Sequence, residues 1–211
     1  MTLSRYHVAY RRIGVGTVTA LALVVALGSC TLRRPEPAAG VDWSERRARM
    51  LALTHWRAQG RIAVKGQTGG GQGDLQWEQD GAATRIRVSG PFGAGAYEIR
   101  WDPSVLSIRS PNGEFSRAYS GPDAAEQFLG EQLGWSFPAT SVRYWILGVP
   151  DPGFPAAEHF SPDGPLLGLD QNGWSVTYER FASQSGLVAP AKMTLQNARA
   201  RVRLVVDRWN F

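Results

Sequence analysis

From Arg57 onward the chain alternates polar and apolar residues with a period of two, and this most constrains what it can fold into. Arg57, Gln59, Arg61 and Lys65 alternate with Ala58, Gly60, Ile62 and Val64. Asp74, Gln76 and Glu78 alternate with Leu75 and Trp77, and Arg85 and Arg87 with Ile86 and Val88. Glu98 and Arg100 flank Ile99, between Tyr97 and Trp101; Leu106 and Ile108 follow with Ser107 between them. Successive side chains of a strand point to opposite faces, so each segment is a strand wet on one side and dry on the other. Gly69-Gly70-Gly71, Asp80-Gly81, Asp102-Pro103 and Asn112-Gly113 supply the turns of an antiparallel meander. The same pattern resumes at Trp174, Val176 and Tyr178, at Met193 and Leu195, and at Val202, Leu204 and Val206.

Helices are expected at three places. Asp42 and Glu45 form a D-x-x-E cap ahead of Arg46, Arg47 and Arg49, with Met50, Leu53 and Trp56 as apolar contacts. Asp123 and Glu126 repeat the cap before Ala125, Phe128, Leu129 and Leu133, with Gly134 as the stop. After Pro138, Val142, Trp145, Ile146 and Val149 fall at i, i+3, i+4 and i+7, ended by Gly148 and Pro150. The Pro-rich residues 151–165 are read as a loop. About ten half-dry strands with helices between them predict one mainly β domain of α+β class. Its sheet is expected to be curved and antiparallel, an incomplete β-barrel with residues 122–149 placed over the open side. Whether its interior is packed solid or hollow is open at this stage.

The first thirty residues have a different character. Met1 to Arg12 is basic, Ile13 to Leu27 is a short apolar run, and Leu27-Gly28-Ser29-Cys30 closes it. This is the layout of a secretory signal, and the apolar run is shorter than the roughly 20 residues of a spanning helix. Leu27-Gly28-Ser29-Cys30 resembles the bacterial lipobox, in which the Cys thiol becomes a thioether to diacylglycerol before cleavage on its N-terminal side. The single Cys of the chain occupies that position. An ordinary signal cut near Ser29, or an uncleaved anchor, would instead leave Cys30 incidental. The lipobox reading divides the chain into a lipoprotein signal (1–29), a lipidated Cys30 with a flexible tether (30–41) and a single domain (42–211). Thr31 follows the cysteine; in lipoproteins an Asp there commonly retains the protein at the inner membrane, so Thr points to the periplasmic face of the outer membrane.

Composition removes several function classes. One Cys and three His (His7, His55 and His159) leave little for a disulfide framework, a zinc site or a His-centred triad. His55 and His159 have no partner at i+4 and are read as surface or capping residues. The Gly66–Gly73 stretch lacks a following Gly-Lys-Ser/Thr, so it is read as a hairpin loop and not a phosphate cradle. The net charge of +5 drops to +2 without Arg5, Arg11 and Arg12, too little to indicate nucleic acid. No catalytic residue, metal or cofactor is therefore assigned.

Two features call for a function. Ser89-Gly90-Pro91-Phe92-Gly93-Ala94-Gly95 sets a large apolar side chain in a Gly/Pro connection between strands. Phe92 either folds back onto the core or projects toward a membrane. Of eight tryptophans, seven (Trp56, Trp77, Trp101, Trp135, Trp145, Trp174, Trp209) fall in the folded region; they pack a core or line a cavity for acyl chains. Trp77, Trp101, Trp145, Ile146, Trp174 and Tyr178 are the cavity candidates.

Several landmarks, in order, resemble the outer-membrane lipoprotein LolB family. They are Trp56-Arg57-Ala58-Gln59-Gly60-Arg61-Ile62-Ala63-Val64, Gly90-Pro91-Phe92-Gly93, Leu133-Gly134-Trp135 with Pro138, and Tyr144-Trp145-Ile146-Leu147-Gly148 with Pro150. Gln171-Asn172-Gly173-Trp174 with Tyr178, Pro190, and Arg201-Val202-Arg203-Leu204 through Trp209 complete them. The resemblance implies a hydrophobic cavity under a helical lid that holds the acyl chains of a cargo lipoprotein, with no ATP, metal or covalent chemistry. It implies as partners a LolA-like periplasmic carrier, acylated cargo and outer-membrane lipid; the chain is expected to act as a monomer. It also implies that Gly90, Pro91, Phe92 and Gly93 form a membrane-insertion loop; the family commonly carries Leu where this chain has Phe92. The alternatives are a structural or assembly lipoprotein scaffolding outer-membrane machinery, and a hydrolase with a cryptic carboxylate site.

Overall fold

The computed structural model describes residues 42–211 except 68, 91–95, 103–104, 111–115, 122–123, 125, 128–130, 132–136 and 163. Cys30, Pro91, Phe92, Gly93 and Trp135 therefore lie outside the described residues, as do the Asn112-Gly113 turn and most of the helix expected from Asp123. Of that helix, Ala124, Glu126, Gln127 and Glu131 are helical.

Eleven antiparallel strands form one sheet. The first six are β1 (His55–Gly66), β2 (Gly70–Asp80), β3 (Ala83–Ser89), β4 (Ala96–Trp101), β5 (Val105–Arg109) and β6 (Ser116–Ser120). The others are β7 (Ala157–Phe160), β8 (Leu166–Gln171), β9 (Trp174–Gln184), β10 (Leu187–Gln196) and β11 (Ala200–Asn210). Their order is β6-β5-β4-β3-β2-β1-β11-β10-β9-β8-β7, so two meanders are joined where β1 pairs with β11. Among the described residues the sheet does not close, and β6 and β7 are its outermost strands. Two helices are described, α1 (Trp43–Leu51) and α2 (Ala139–Trp145).

Burial follows the alternation. On β11, Ala200, Val202, Leu204, Val206 and Trp209 are buried, while Arg201, Arg203 and Asp207 are exposed. The buried faces of β1, β2 and β8 to β11 join α1 and α2 in one cluster that includes Met50, Trp56, Trp77, Trp145, Leu169, Met193 and Leu204. A sheet whose strands share one dry interior must curl around it, which makes this the concave face.

Local chemistry accounts for the element ends. Asp42 caps α1, accepting from the Ser44 backbone N–H at 3.1 Å and the Ser44 hydroxyl at 2.7 Å. Glu45 does not reach back to the cap as its spacing suggested; it pairs with Arg49 one turn on. Trp56 belongs to β1 and not to the helix, which ends at Leu51. The 151–165 segment is not wholly a loop, because β7 begins at Ala157 inside it. Four residues pairing only with β8 are too short for alternation to reveal. The glycine-rich 66–73 stretch is likewise mostly strand, with β1 reaching Gly66 and β2 starting at Gly70.

Gly60 is a steric requirement. Between Gln59 and Gly60 the β1–β11 register shifts, Gln59 facing Arg208 and Gly60 facing Val206. A Cβ on Gly60 would fall 1.9 Å from the Val205 carbonyl oxygen, a backbone atom that cannot swing away. We expect Gly60→Ala to lower unfolding free energy by about 2–3 kcal/mol, read as a lower urea midpoint at unchanged slope.

Candidate lipid-binding interior

The register sets which side chains meet inside. The β1–β2 hairpin, the β3–β4 connection, the β8–β9 turn and the β10–β11 turn all lie at one end of the sheet, here called the loop end. Val88 and Tyr97 form the last inward pair before the connection that carries Phe92. At the opposite end, Trp56 packs against Trp77 and Trp209 at ring-centroid distances of 5.5 and 5.6 Å.

Five of the six cavity candidates sit in the large cluster. Trp77 joins the aromatic group just described. The Trp145 indole N–H donates to Gln171 Oε1 at 2.7 Å, and Ile146 is fully buried beside it. Trp174 meets Phe137 edge-on at 5.3 Å. Tyr178 donates its hydroxyl to the Trp145 carbonyl at 3.0 Å, and burial pushes its pKa well above the usual phenol value. Trp101 is apart from these; it borders a second, smaller cluster of Leu106, Ile108, Ala124 and Ala139.

At the margins of both clusters, part of the concave face is only half-covered among the described residues. Ile62, Val64, Ile86, Val88 and Ile99 point inward by register yet are only half-buried, and Tyr97 is 52% exposed. Ile86, Val88, Ile99 and Tyr97 are neighbours on β3 and β4, with Val88 and Tyr97 next to the connection, while Ile62 and Val64 on β1 are set off from them by Gly73 and Gly71 of β2; together these half-covered side chains are called the strip. Selecting aromatic residues as cavity candidates passed over these aliphatic ones. Their alternation was visible, but alternation assigns a face and not a degree of cover.

Two polar devices hold α2 on the concave face. At its start, Ser141 donates to Asp151 Oδ2 at 2.7 Å and accepts from Asn172 Nδ2 at 2.8 Å. Gln171 accepts from the Asp151 backbone N–H and donates to the Asp151 and Phe154 carbonyls. Past its end, the Arg46 guanidinium of α1 donates to the carbonyls of Leu147, Gly148 and Val188 at 3.0, 2.9 and 3.1 Å. Arg46 lies 5.2 Å from the Trp43 ring centroid and 5.1 Å from that of Phe181, and burial brings its pKa down to about 10. It stays charged at neutral pH and satisfies carbonyls of the turn after α2 and of β10. Gly148 has φ +74°, and a Cβ there would lie 2.8 Å from the guanidinium.

The histidines are peripheral. His55 pairs with Asp80 at 2.8 Å and His159 with Asp170 at 2.7 Å, all on exposed side chains. The hydroxyl of Ser175, ahead of His159, holds the Asp170 carboxyl below its usual pKa. Among the described residues, no group of three His, Cys, Asp or Glu could hold a metal ion, and no helix is long and apolar enough to cross a membrane.

A family profile described as "Outer membrane lipoprotein LolB" matches residues 54–209, the span that builds this sheet. The chain belongs to the LolB family. It is 33% identical over 196 residues to an outer-membrane lipoprotein LolB of Nitrosococcus oceani, covering 92% of this chain and 96% of that one. A LolB of Marinomonas sp. is 29% identical over 198 residues, with the same coverages of 92% and 96%. In fold, the chain is similar to a DUF1329 family protein from Desulfovibrio piger, at TM-score 0.50 and 8% identity. That match covers 79% of this chain and 89% of the other.

Arg46 is the residue that composition and pattern alone did not separate from its neighbours Arg47 and Arg49. We expect Arg46→Met to cost about 2–4 kcal/mol in urea unfolding by stranding buried carbonyls, and Arg49→Met less than about 0.5 kcal/mol.

Proposed function

We propose that this chain is a lipid-anchored receptor on the periplasmic face of the outer membrane. It takes lipoproteins from a LolA-type carrier, holds their acyl chains on its concave apolar face, and passes them into the membrane. Its family membership supports the place in this traffic. The observation that carries the reading is the half-covered strip of Ile62, Val64, Ile86, Val88 and Ile99, which runs to the connection bearing Phe92. A diacylglyceryl thioether at Cys30 and a tether through residue 41 keep the domain at the bilayer.

Such a cycle needs no catalytic group. Each CH₂ of an acyl chain moved from water to an apolar site gains about 0.8 kcal/mol, so a bare chain of ordinary length would face a barrier of roughly 10 kcal/mol or more in water. Transfer therefore runs directly between apposed apolar surfaces, from carrier to concave strip to bilayer, in the order of increasing burial. Phe92 contributes at the last step: inserting one large apolar side chain gains about 1.5–3 kcal/mol, enough for brief entry and too little for anchoring. Gly90 and Pro91 precede it and Gly93 follows. Trp77, Trp145, Ile146, Trp174 and Tyr178 form the packed floor behind the strip, and Trp101 flanks its far side.

The test is transfer of an acylated protein from loaded carrier to this chain, and then to vesicles. Phe92→Glu is expected to accept cargo at the native rate and deliver it at least tenfold more slowly. Val88→Glu is expected to keep its circular-dichroism spectrum and lose acceptance. Native delivery by the first variant sinks the insertion role, and native acceptance by the second sinks the strip.

A further inference from the structure

The outer, convex side of the loop end carries an unbalanced set of cations. Lys65 faces Arg201 across the β1–β11 pair, Arg203 lies opposite Ala63, and Arg199 sits in the β10–β11 turn. Arg87, two residues before Ser89, extends the set to β3. All five are exposed. Among the described residues, none of the five has a carboxylate within ion-pair distance; Arg201 is hydrogen-bonded to the neutral Gln196 at 3.0 Å. Beside them an open pocket of about 340 Å³ has a mixed lining that includes Ile62, Val205, Gln72, Asp74 and Arg203, and Arg61 on its rim is paired with Asp207 at 3.3 Å.

The opposite end differs. There Arg57 is paired with Glu78 at 3.0 Å and His55 with Asp80, and Arg208 is hydrogen-bonded to Gln59. Sheet surfaces usually intersperse charges of both signs; here unpaired cations gather at the end where the Phe92 connection leaves the sheet. A free cation gains most from a phosphate surface when it lies within a Debye length, about 8–10 Å, of it. Lys65, Arg199 and Arg201 occupy the last rungs of that end, and Arg203 lies two residues further in.

We propose that this cationic rim docks the loop end onto anionic phospholipid headgroups, with Lys65, Arg199 and Arg201 nearest the headgroup phosphates. The inference rests on the receptor reading above and adds to it a lipid preference and an orientation. The rim sets the domain with the Phe92 connection toward the bilayer; the acyl anchor alone, through a flexible tether, sets no orientation.

The experiment uses the chain from Thr31 onward, which removes the acyl anchor; every described residue falls in one compact unit within it. Co-sedimentation with phosphatidylcholine vesicles, with and without phosphatidylglycerol, measures binding at low and high salt. Binding is expected only with phosphatidylglycerol and to fall with salt. Lys65→Gln/Arg201→Gln/Arg203→Gln is expected to weaken it roughly 100-fold, at about fivefold per cation. Arg57→Gln/Arg180→Gln/Arg208→Gln, with the same net charge, is expected to change it less than about threefold. Equal binding to both vesicles, or equal loss in both triple variants, overturns the proposal. So does a rim variant that binds vesicles normally but accepts cargo poorly from the carrier, since the rim would then face a protein. If lipid preference is absent while Phe92→Glu still blocks delivery, the rim proposal fails and the receptor reading stands. If lipid preference is present while Phe92→Glu delivers normally, docking stands and the insertion role falls.

Discussion

Backbone pairing between β1 and β11 turns two meanders into one sheet. Without it, β1 to β6 and β7 to β11 would each present a long unpaired edge and half an apolar face. The pairing runs ten registered residue pairs from Arg57 to Gly66 and places Trp56 against Trp209. The shift at Gly60 sits in the middle of this seam, and a bulge there increases local twist where the sheet must bend most around its contents. One small residue at one position therefore bears on the shape of the whole interior.

Cover over that interior is uneven among the described residues, and the proposed receptor role rests on that unevenness. Under α1 and α2 the concave face is packed with tryptophan, leucine and methionine. Toward β3 and β4, the same inward alternation continues with side chains that are only half-buried. An enclosed core stabilises the fold but excludes a guest, and a fully open apolar face would aggregate. A strip of half-covered aliphatic side chains lies between these extremes and offers area to a flexible chain without demanding a fixed shape.

Much of this was legible in the chain itself. The strands from β1 to β5 and from β9 to β11 follow from period-two alternation because one face of each is wet. The cap at Asp42 and the helix after Pro138 follow from side-chain chemistry that acts within a single turn. β7 was not legible, because four residues beside prolines carry too little pattern; its place is fixed by β8 and by Trp43 and Arg47 of α1, which bind Glu158. β8 was missed as well, since Leu166, Leu167 and Leu169 break strict alternation. The role of Arg46 also escaped pattern, because it depends on carbonyls roughly a hundred residues away. The open strip is a matter of how much covers each residue, a property of the assembled fold and not of any segment.

Helix α2 is tied down on both sides, by the Ser141–Asp151 hydrogen bond near its start and by Trp145 to Gln171 and the Arg46 guanidinium at and just past its end. These ties join it to β8, β9, β10 and α1, all on one flank of the seam. The smaller core of the β3–β6 wing also reaches this helix, since Ala139, its first residue, packs with Leu106, Ile108 and Ala124. Helix α2 therefore works as a keystone between the two cores, and a substitution that loosens it would soften both together.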